Sequence, residues 1–382
     1  MKKLVTIFAC FFALLAATVV MAEQPQNTPG TGRALPSVMS KPERLMPDQT
    51  ETPRMKAWCD LHYGLFLHFG LAAYTGGKNQ SPKLYAPTGL DVDGWVRVAR
   101  DAGMKYAVLT TKHNSGFCLW DSKVRWQGKE FDFDVAASSN PTDVVQAFMD
   151  ACKKYGIVPG LYYNLRDSHA DAKGFGENSG KVPLNKDYFD LVKAQLTELL
   201  LRYPDCHYFW IDHPRSATAD QLAEIYELLR RANPTNIVLF NTHLACPWPR
   251  NPEYAGPTQH PGTDVFEKSH GYGFPTDVIS SEIRMPTTPV AKLQSWKGQQ
   301  YFIGYEHCDT LGKGWFNTSN RNLRSPDAVS NLYQSVRKLG GNLLLDIGPN
   351  REGKIADEIA KVLIEAKSQI EPFEASLAKR KQ

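Results

Sequence analysis

Along the chain, short apolar runs rich in β-branched and aromatic residues alternate with longer stretches whose apolar residues recur at helical spacing. Tyr63 to Leu71 (YGLFLHFGL) reads as a first buried strand, and Val92 to Ala102 as a helix stopped by Gly103. Tyr106 to Thr111 is the second strand. A helix started by Asn140-Pro141-Thr142-Asp143 runs through Tyr155 to Gly156, and Ile157 to Leu165 follows as the third strand. Asp187 to Arg202 and Ala219 to Ala232 are helices on either side of a fourth strand, Asp205 to Asp212, and Ile237 to Thr242 is the fifth.

The rhythm then blurs. Residues 243 to 277 are rich in Pro, Gly and His and read as a rim loop. Val278 to Ile283 and Tyr301 to Tyr305 are the expected sixth and seventh strands, Ser325 to Lys338 a helix, Asn342 to Ile347 the eighth strand, and Ala356 to about Ala378 a last helix. Eight strands alternating with helices predict an α/β fold, a closed (β/α)8 barrel of the TIM type. An open doubly wound sheet would need a glycine-rich nucleotide turn, and no such turn is present.

The N-terminus changes the domain picture. Residues 1–22 carry Lys2 and Lys3, an apolar run from Leu4 to Val20 and a small-residue exit at Ala22, which predicts a cleaved secretory signal peptide and an exported, periplasmic or secreted protein. Residues 23–53 lack periodicity and are expected to be a flexible linker, leaving 54–382 as a single catalytic domain. The formal charge is +4, and cleavage would remove two lysines and no acid, so nothing points to nucleic acid as a partner, and no span crosses the membrane. Oligomeric state is not legible. Outside the apolar run six cysteines remain, at 59, 118, 152, 206, 246 and 308; they form no Cys-x-x-Cys pair, which argues against a structural zinc site and leaves any disulfide pairing open.

Catalytic groups of such barrels collect at the C-terminal ends of the strands. The fourth strand ends on Asp212, followed by His213-Pro214, with capping of the next helix as the plainer reading of that Asp. The other strand ends present His68, Lys112 with His113, Tyr162 with Arg166, Asn241 with His243, Glu282 with Arg284, and Glu306 with His307. Two facing carboxylates among histidines and tryptophans suit glycoside hydrolysis, one attacking the anomeric carbon and one protonating the leaving oxygen. Histidines, Lys112, Tyr162 and Arg284 would bind sugar hydroxyls, and Trp120 or Trp210 would cover an apolar sugar face. Each has a plainer role: His68 as a core histidine, Lys112 paired with a buried acid, Glu282 paired with Arg284, Trp210 as barrel core. No metal is expected, because His62 and His68 stand six apart and form no His-x-His.

Four stretches together resemble the α-L-fucosidases of glycoside hydrolase family 29: Gly64 to Gly70 (GLFLHFG), Ala102 to Lys123 (AGMKYAVLTTKHNSGFCLWDSK), Phe209 to Asp212 (FWID) and Ser335 to Ile355 (SVRKLGGNLLLDIGPNREGKI). The resemblance runs from about Trp58 to Ile355. It implies a (β/α)8 barrel, a retaining double displacement that removes terminal α-L-fucosyl residues, a fucosylated glycan as substrate and no cofactor. By position Asp212 resembles the family nucleophile with Trp210 beside it, and His68, His113 and Tyr162 match pocket residues. Glu306, in Gly304-Tyr305-Glu306-His307-Cys308, resembles the acid/base, with Glu282 the alternative. The chain departs from the pattern at Asn114-Ser115 within His113-Asn114-Ser115-Gly116-Phe117, where the family has His-Asp, at Phe69 in place of Trp, and in lacking a Glu-Trp pair after the first strand. The interval from Asp212 to Glu306 is also longer than usual. A related sugar such as galactose, or a non-catalytic sugar-binding protein, are the alternatives. No C-terminal β-sandwich is expected after the last helix.

Overall fold

A computed structural model describes residues 44–76, 81–173, 184–242, 244, 262–318 and 322–380. The chain divides into residues 1–43 and a compact unit from Arg44 to Gln382, of which only the second lies within the described residues. The expected signal peptide, residues 23–43, Cys10, His243, Cys246 and residues 245–261 of the Pro/Gly/His-rich excursion fall outside them.

Eight parallel strands close into a barrel. In chain order they are β1 (Tyr63–Leu67), β2 (Tyr106–Lys112), β3 (Val158–Asn164), β4 (Tyr208–Asp212), β5 (Ile237–Phe240), β6 (Val278–Glu282), β7 (Gly304–Thr310) and β8 (Asn342–Ile347), each paired with its chain neighbours and β1 with β8. The main helices are α1 (Pro53–Cys59), α2 (Val92–Asp101), α3 (Val144–Tyr155), α4 (Lys186–Arg202), α5 (Ala219–Ala232), α6 (Pro326–Lys338) and α7 (Asp357–Arg380). Local chemistry sets their ends. The side chains of Asp91 and Asp143 accept from the backbone N–H of Gly94 and Gln146, Thr218 and Gln221 form a capping box, and Gly156 closes α3 with a φ of 67°.

Side chains alternate across each strand. One set faces the surrounding helices, where Leu65, Leu109, Leu161, Phe209, Val238 and Leu345 belong to one large apolar cluster. The other set fills the barrel, where Phe66, Tyr106, Val108, Tyr162, Tyr208, Trp210, Leu239, Cys308 and Leu344 form a second. Room for the floor of the barrel comes from glycine: a Cβ at Gly64 would lie 2.5 Å from the Tyr106 ring, and one at Gly160 2.9 Å from the Tyr208 ring.

Two expectations change. The seventh strand is Gly304–Thr310, whereas Tyr301 and Phe302 belong to an antiparallel hairpin in which Gln299–Phe302 pairs with Leu293–Trp296. Lys297 (φ 48°) and Gly298 (φ 76°) turn that hairpin, and alternating aromatics suit it as well as they suit a barrel strand. The barrel strand starts at Gly304, where a Cβ would meet the Trp58 ring at 2.5 Å. Residues 44–53, within the segment read as a linker, are fixed against the barrel: Leu45 N–H donates to Glu227, and Arg54 bridges Asp48 and the buried Asp277 at 2.9 and 2.8 Å. An Arg-carboxylate network is invisible to a reading based on apolar periodicity.

Candidate active site

Asp212, the last residue of β4, points into the barrel mouth and is 8% exposed. Its Oδ2 accepts from Tyr162 OH at 2.7 Å and Asn164 Nδ2 at 3.3 Å, while Oδ1 accepts from His213 N–H at 2.8 Å and Asn241 Nδ2 at 3.0 Å. The His213 ring, on a residue with φ 55°, also lies 3.0 Å from Oδ2. A carboxylate held by donors on both oxygens has a fixed direction.

Glu282, the last residue of β6, is half-buried and accepts from the same Asn241 nitrogen at 3.2 Å. One amide nitrogen therefore bridges the two carboxyl groups across the barrel mouth.

Aromatic and imidazole rings wall the mouth. Tyr162 stacks on Trp210 with centroids 5.3 Å apart and on His113 at 5.6 Å. His68 meets His113 at 5.5 Å, Trp315 at 5.1 Å and Phe316 at 5.4 Å, and Phe316 meets His113 at 5.0 Å. Burial drives both imidazoles down to about 3, with the Asp212 charge opposing that shift, so both rings are neutral donors or acceptors at ordinary pH. His68 Nδ1 sits 2.6 Å from Asp346 Oδ1, and burial pushes that carboxyl well up. With Nδ1 engaged, ligand chemistry at His68 falls to Nε2.

The barrel mouth therefore brings together Asp212, Glu282, His68, His113 and Tyr162, with Trp210 one layer below and Arg284 exposed just beyond Glu282. Three expected site residues lie elsewhere. Lys112 follows a register shift in β2, is fully buried on the helix-facing side, and bonds Asp167 at 2.9 Å, Tyr188 OH at 3.0 Å and Tyr163 OH at 3.1 Å. Trp120 is fully buried with its indole on Glu198 at 2.8 Å. Glu306 is the third residue of β7, level with Ser280 two residues before Glu282, and its carboxylate accepts from Tyr106 OH, Tyr208 OH and the Trp210 indole at 2.7, 2.8 and 2.9 Å. It is fully buried in the barrel floor, away from any glycosidic oxygen at the rim. Its neighbour His307 faces the helices and bonds Ser281 at 2.8 Å.

Sequence reasoning assigns no site role to Asn164, His213, Trp315, Phe316 or Asp346. Strand parity would have found two of them, since Asn164 is two residues past Tyr162 and Asp346 is level with Thr310 at the strand ends. Trp315 and Phe316 sit in a loop, where no period applies. Among the described residues no group of three or more His, Cys, Asp or Glu side chains is placed to hold a metal ion, and the described cysteines are unpaired.

Residues 78–368 match the family model described as alpha-L-fucosidase. A rice (Oryza sativa subsp. japonica) protein named as an alpha-L-fucosidase is 28% identical over 88% of this chain and 60% of its own length. Alpha-L-fucosidase 1 of Arabidopsis thaliana is 23% identical over 96% and 66%. The chain thus spans roughly two thirds or less of those relatives. An alpha-L-fucosidase of Bacteroides thetaiotaomicron, solved as a trapped covalent intermediate with 2-fluoro-fucosyl fluoride, superposes with a TM-score of 0.64 at 20% identity, covering 86% of this chain and 76% of that one.

Proposed function

The chain belongs to the alpha-L-fucosidase family, and on that premise we propose that it is an exported, retaining exo-glycosidase that removes terminal α-L-fucosyl residues from glycans. The observation that supports the mechanism is the shared Asn241 nitrogen, which donates to both Asp212 and Glu282 and so keeps the two carboxyl groups on the same side of the mouth. Asp212 attacks the anomeric carbon, and the bond to the leaving oxygen breaks as Glu282 donates its proton to that oxygen. The resulting glycosyl-enzyme ester is then hydrolysed by water, which Glu282, now ionised, deprotonates. Glu282 takes the acid/base role rather than Glu306, whose two oxygens are occupied by donors in the floor.

The donors around Asp212 orient it before the sugar arrives, so little reorganisation accompanies attack. Neutral His68 and His113 supply hydrogen bonds to sugar hydroxyls without adding charge, and the faces of Trp315 and Phe316 offer an apolar wall to a deoxy sugar carbon. The reading that this is a binding protein loses support from the paired carboxylates at the rim. Hydrolysis of an aryl α-L-fucoside, run beside other aryl glycosides, tests the proposal. Asp212→Ala should lower turnover on the order of 10⁴-fold; full activity in that variant, or preference for an aryl galactoside, would contradict the assignment.

A further inference from the structure

We infer that Glu306 is a positioning residue for the proposed reaction, holding the Trp210 indole so that Tyr162, stacked on it, keeps its hydroxyl on Asp212. The inference rests on Asp212 being the nucleophile. The contacts form one continuous path. Glu306 accepts from Trp210 Nε1 at 2.9 Å, the Trp210 and Tyr162 rings stack at 5.3 Å with 21° between their planes, and Tyr162 OH donates to Asp212 at 2.7 Å. Phe66 closes the same stack from β1, 5.4 Å from Trp210 and 5.9 Å from Tyr162.

A buried carboxylate is an expensive way to fill a barrel floor, since an apolar side chain of similar volume costs no desolvation. What the carboxylate supplies and a hydrocarbon cannot is direction. Tyr106 and Tyr208 donate to it from β2 and β4, and with Trp210 they fix the group from two sides of the barrel. The floor is shaped for this arrangement, because Gly64 and Gly160 leave the space that the Tyr106 and Tyr208 rings occupy. An indole tied at Nε1 cannot slide in its plane, and the tyrosine above it inherits that restraint. A shift of about 1 Å between reacting groups can lower a rate about 100-fold.

Burial lifts the Glu306 carboxyl to about 7, against the three donors that favour its charge, so both protonation states hold the network near neutral pH. Glutamine can reproduce the neutral form, accepting from Trp210 and Tyr208 while donating to Tyr106. Methionine fills a similar volume and accepts almost nothing.

The test compares full-length wild type, Glu306→Met, Glu306→Gln, Trp210→Phe and the Glu306→Met/Trp210→Phe double variant on an aryl α-L-fucoside. Competent sites are counted by mass spectrometry after labelling with 2-fluoro-fucosyl fluoride. Expected is a fall in kcat per labelled site of about 10- to 100-fold in Glu306→Met with KM little changed, a similar fall in Trp210→Phe, no further fall in the double variant, and near-wild-type kcat in Glu306→Gln. If Glu306→Met does not fold, Trp210→Phe against Glu306→Gln still decides. Unchanged kcat per labelled site in Glu306→Met or Trp210→Phe, or a loss in Glu306→Gln as large as either, overturns the inference. Asp212→Ala separates the two claims: absent turnover in wild type, or activity retained in Asp212→Ala, removes the functional reading and this inference with it. Asp212-dependent turnover that ignores Glu306 and Trp210 removes this inference alone.

Discussion

A single amide nitrogen, that of Asn241, ties the proposed nucleophile Asp212 to the proposed acid Glu282. Asp212 was legible in the sequence because an apolar run ending on Asp and broken by a proline marks a strand lip. Glu306 misled because the seventh strand, read from Tyr301 and Tyr305, put that residue one position past a strand end instead of inside one. In the floor, burial raises its carboxyl from 4.5 to about 7. The folded state therefore holds the proton more tightly than the unfolded chain, and the stability this contributes is present below about pH 4.5 and lost as pH rises through about 7. Wild type should accordingly lose about 3 kcal/mol relative to Glu306→Gln between those limits, read from urea unfolding across pH; a constant difference would contradict the burial argument. His68 and His113, both pushed to about 3, stay neutral through the usual imidazole range. Measured KM should not climb as pH falls from about 7 to about 5, and a rise with a midpoint near 6.5 would show that one of them charges.

Among the elements, seven of the eight strands and six of the seven main helices followed from apolar period and capping residues, with ends displaced by a few positions; α1, which begins at the end of the segment read as a linker, did not. Val92, Val144 and Ala219 begin their helices where Asp91, Asp143 and Thr218 cap them. The misplaced strand shows where period fails: a hairpin and a barrel strand lie a single residue apart, and both are aromatic. What separates them is steric, since Gly304 fits under Trp58 where a side chain would not. The same logic makes β1 sensitive at Gly64. Gly64→Ala would drive a methyl into the Tyr106 ring at 2.5 Å and should destabilise the protein by about 1–3 kcal/mol, measured as a lower urea midpoint with unchanged slope. An unshifted midpoint would mean that the Tyr106 ring moves aside at little cost and that the floor network is looser than its distances imply.

At the scale of the whole molecule, parallel strands with helices outside put every strand's C-terminal end on one rim, so residues far apart in sequence converge without any local signal. That convergence is why reaction class could be read from strand ends while the partners of each residue could not. Lys112 and Trp120 lie in stretches that carry the family resemblance, yet they hold the outer layer together through Asp167 and Glu198. No helix among the described residues is long and apolar enough to cross a membrane, and the proposed export route rests on residues 1–22. N-terminal sequencing of the protein recovered outside the cytoplasm should begin near Glu23, and an intact Met1 would contradict the signal peptide. The central claim, that Asp212 and Glu282 are the working pair, is tested most directly by azide. Removing the acid/base residue of a retaining enzyme still lets an activated aryl glycoside form the glycosyl-enzyme, and azide then attacks it with a second inversion. Glu282→Ala should therefore be accelerated by azide on an activated aryl α-L-fucoside and release the α-fucosyl azide, whereas Asp212→Gly should release the β-anomer. Azide rescue at Glu306→Ala, with Glu282→Ala as active as wild type, would contradict the account.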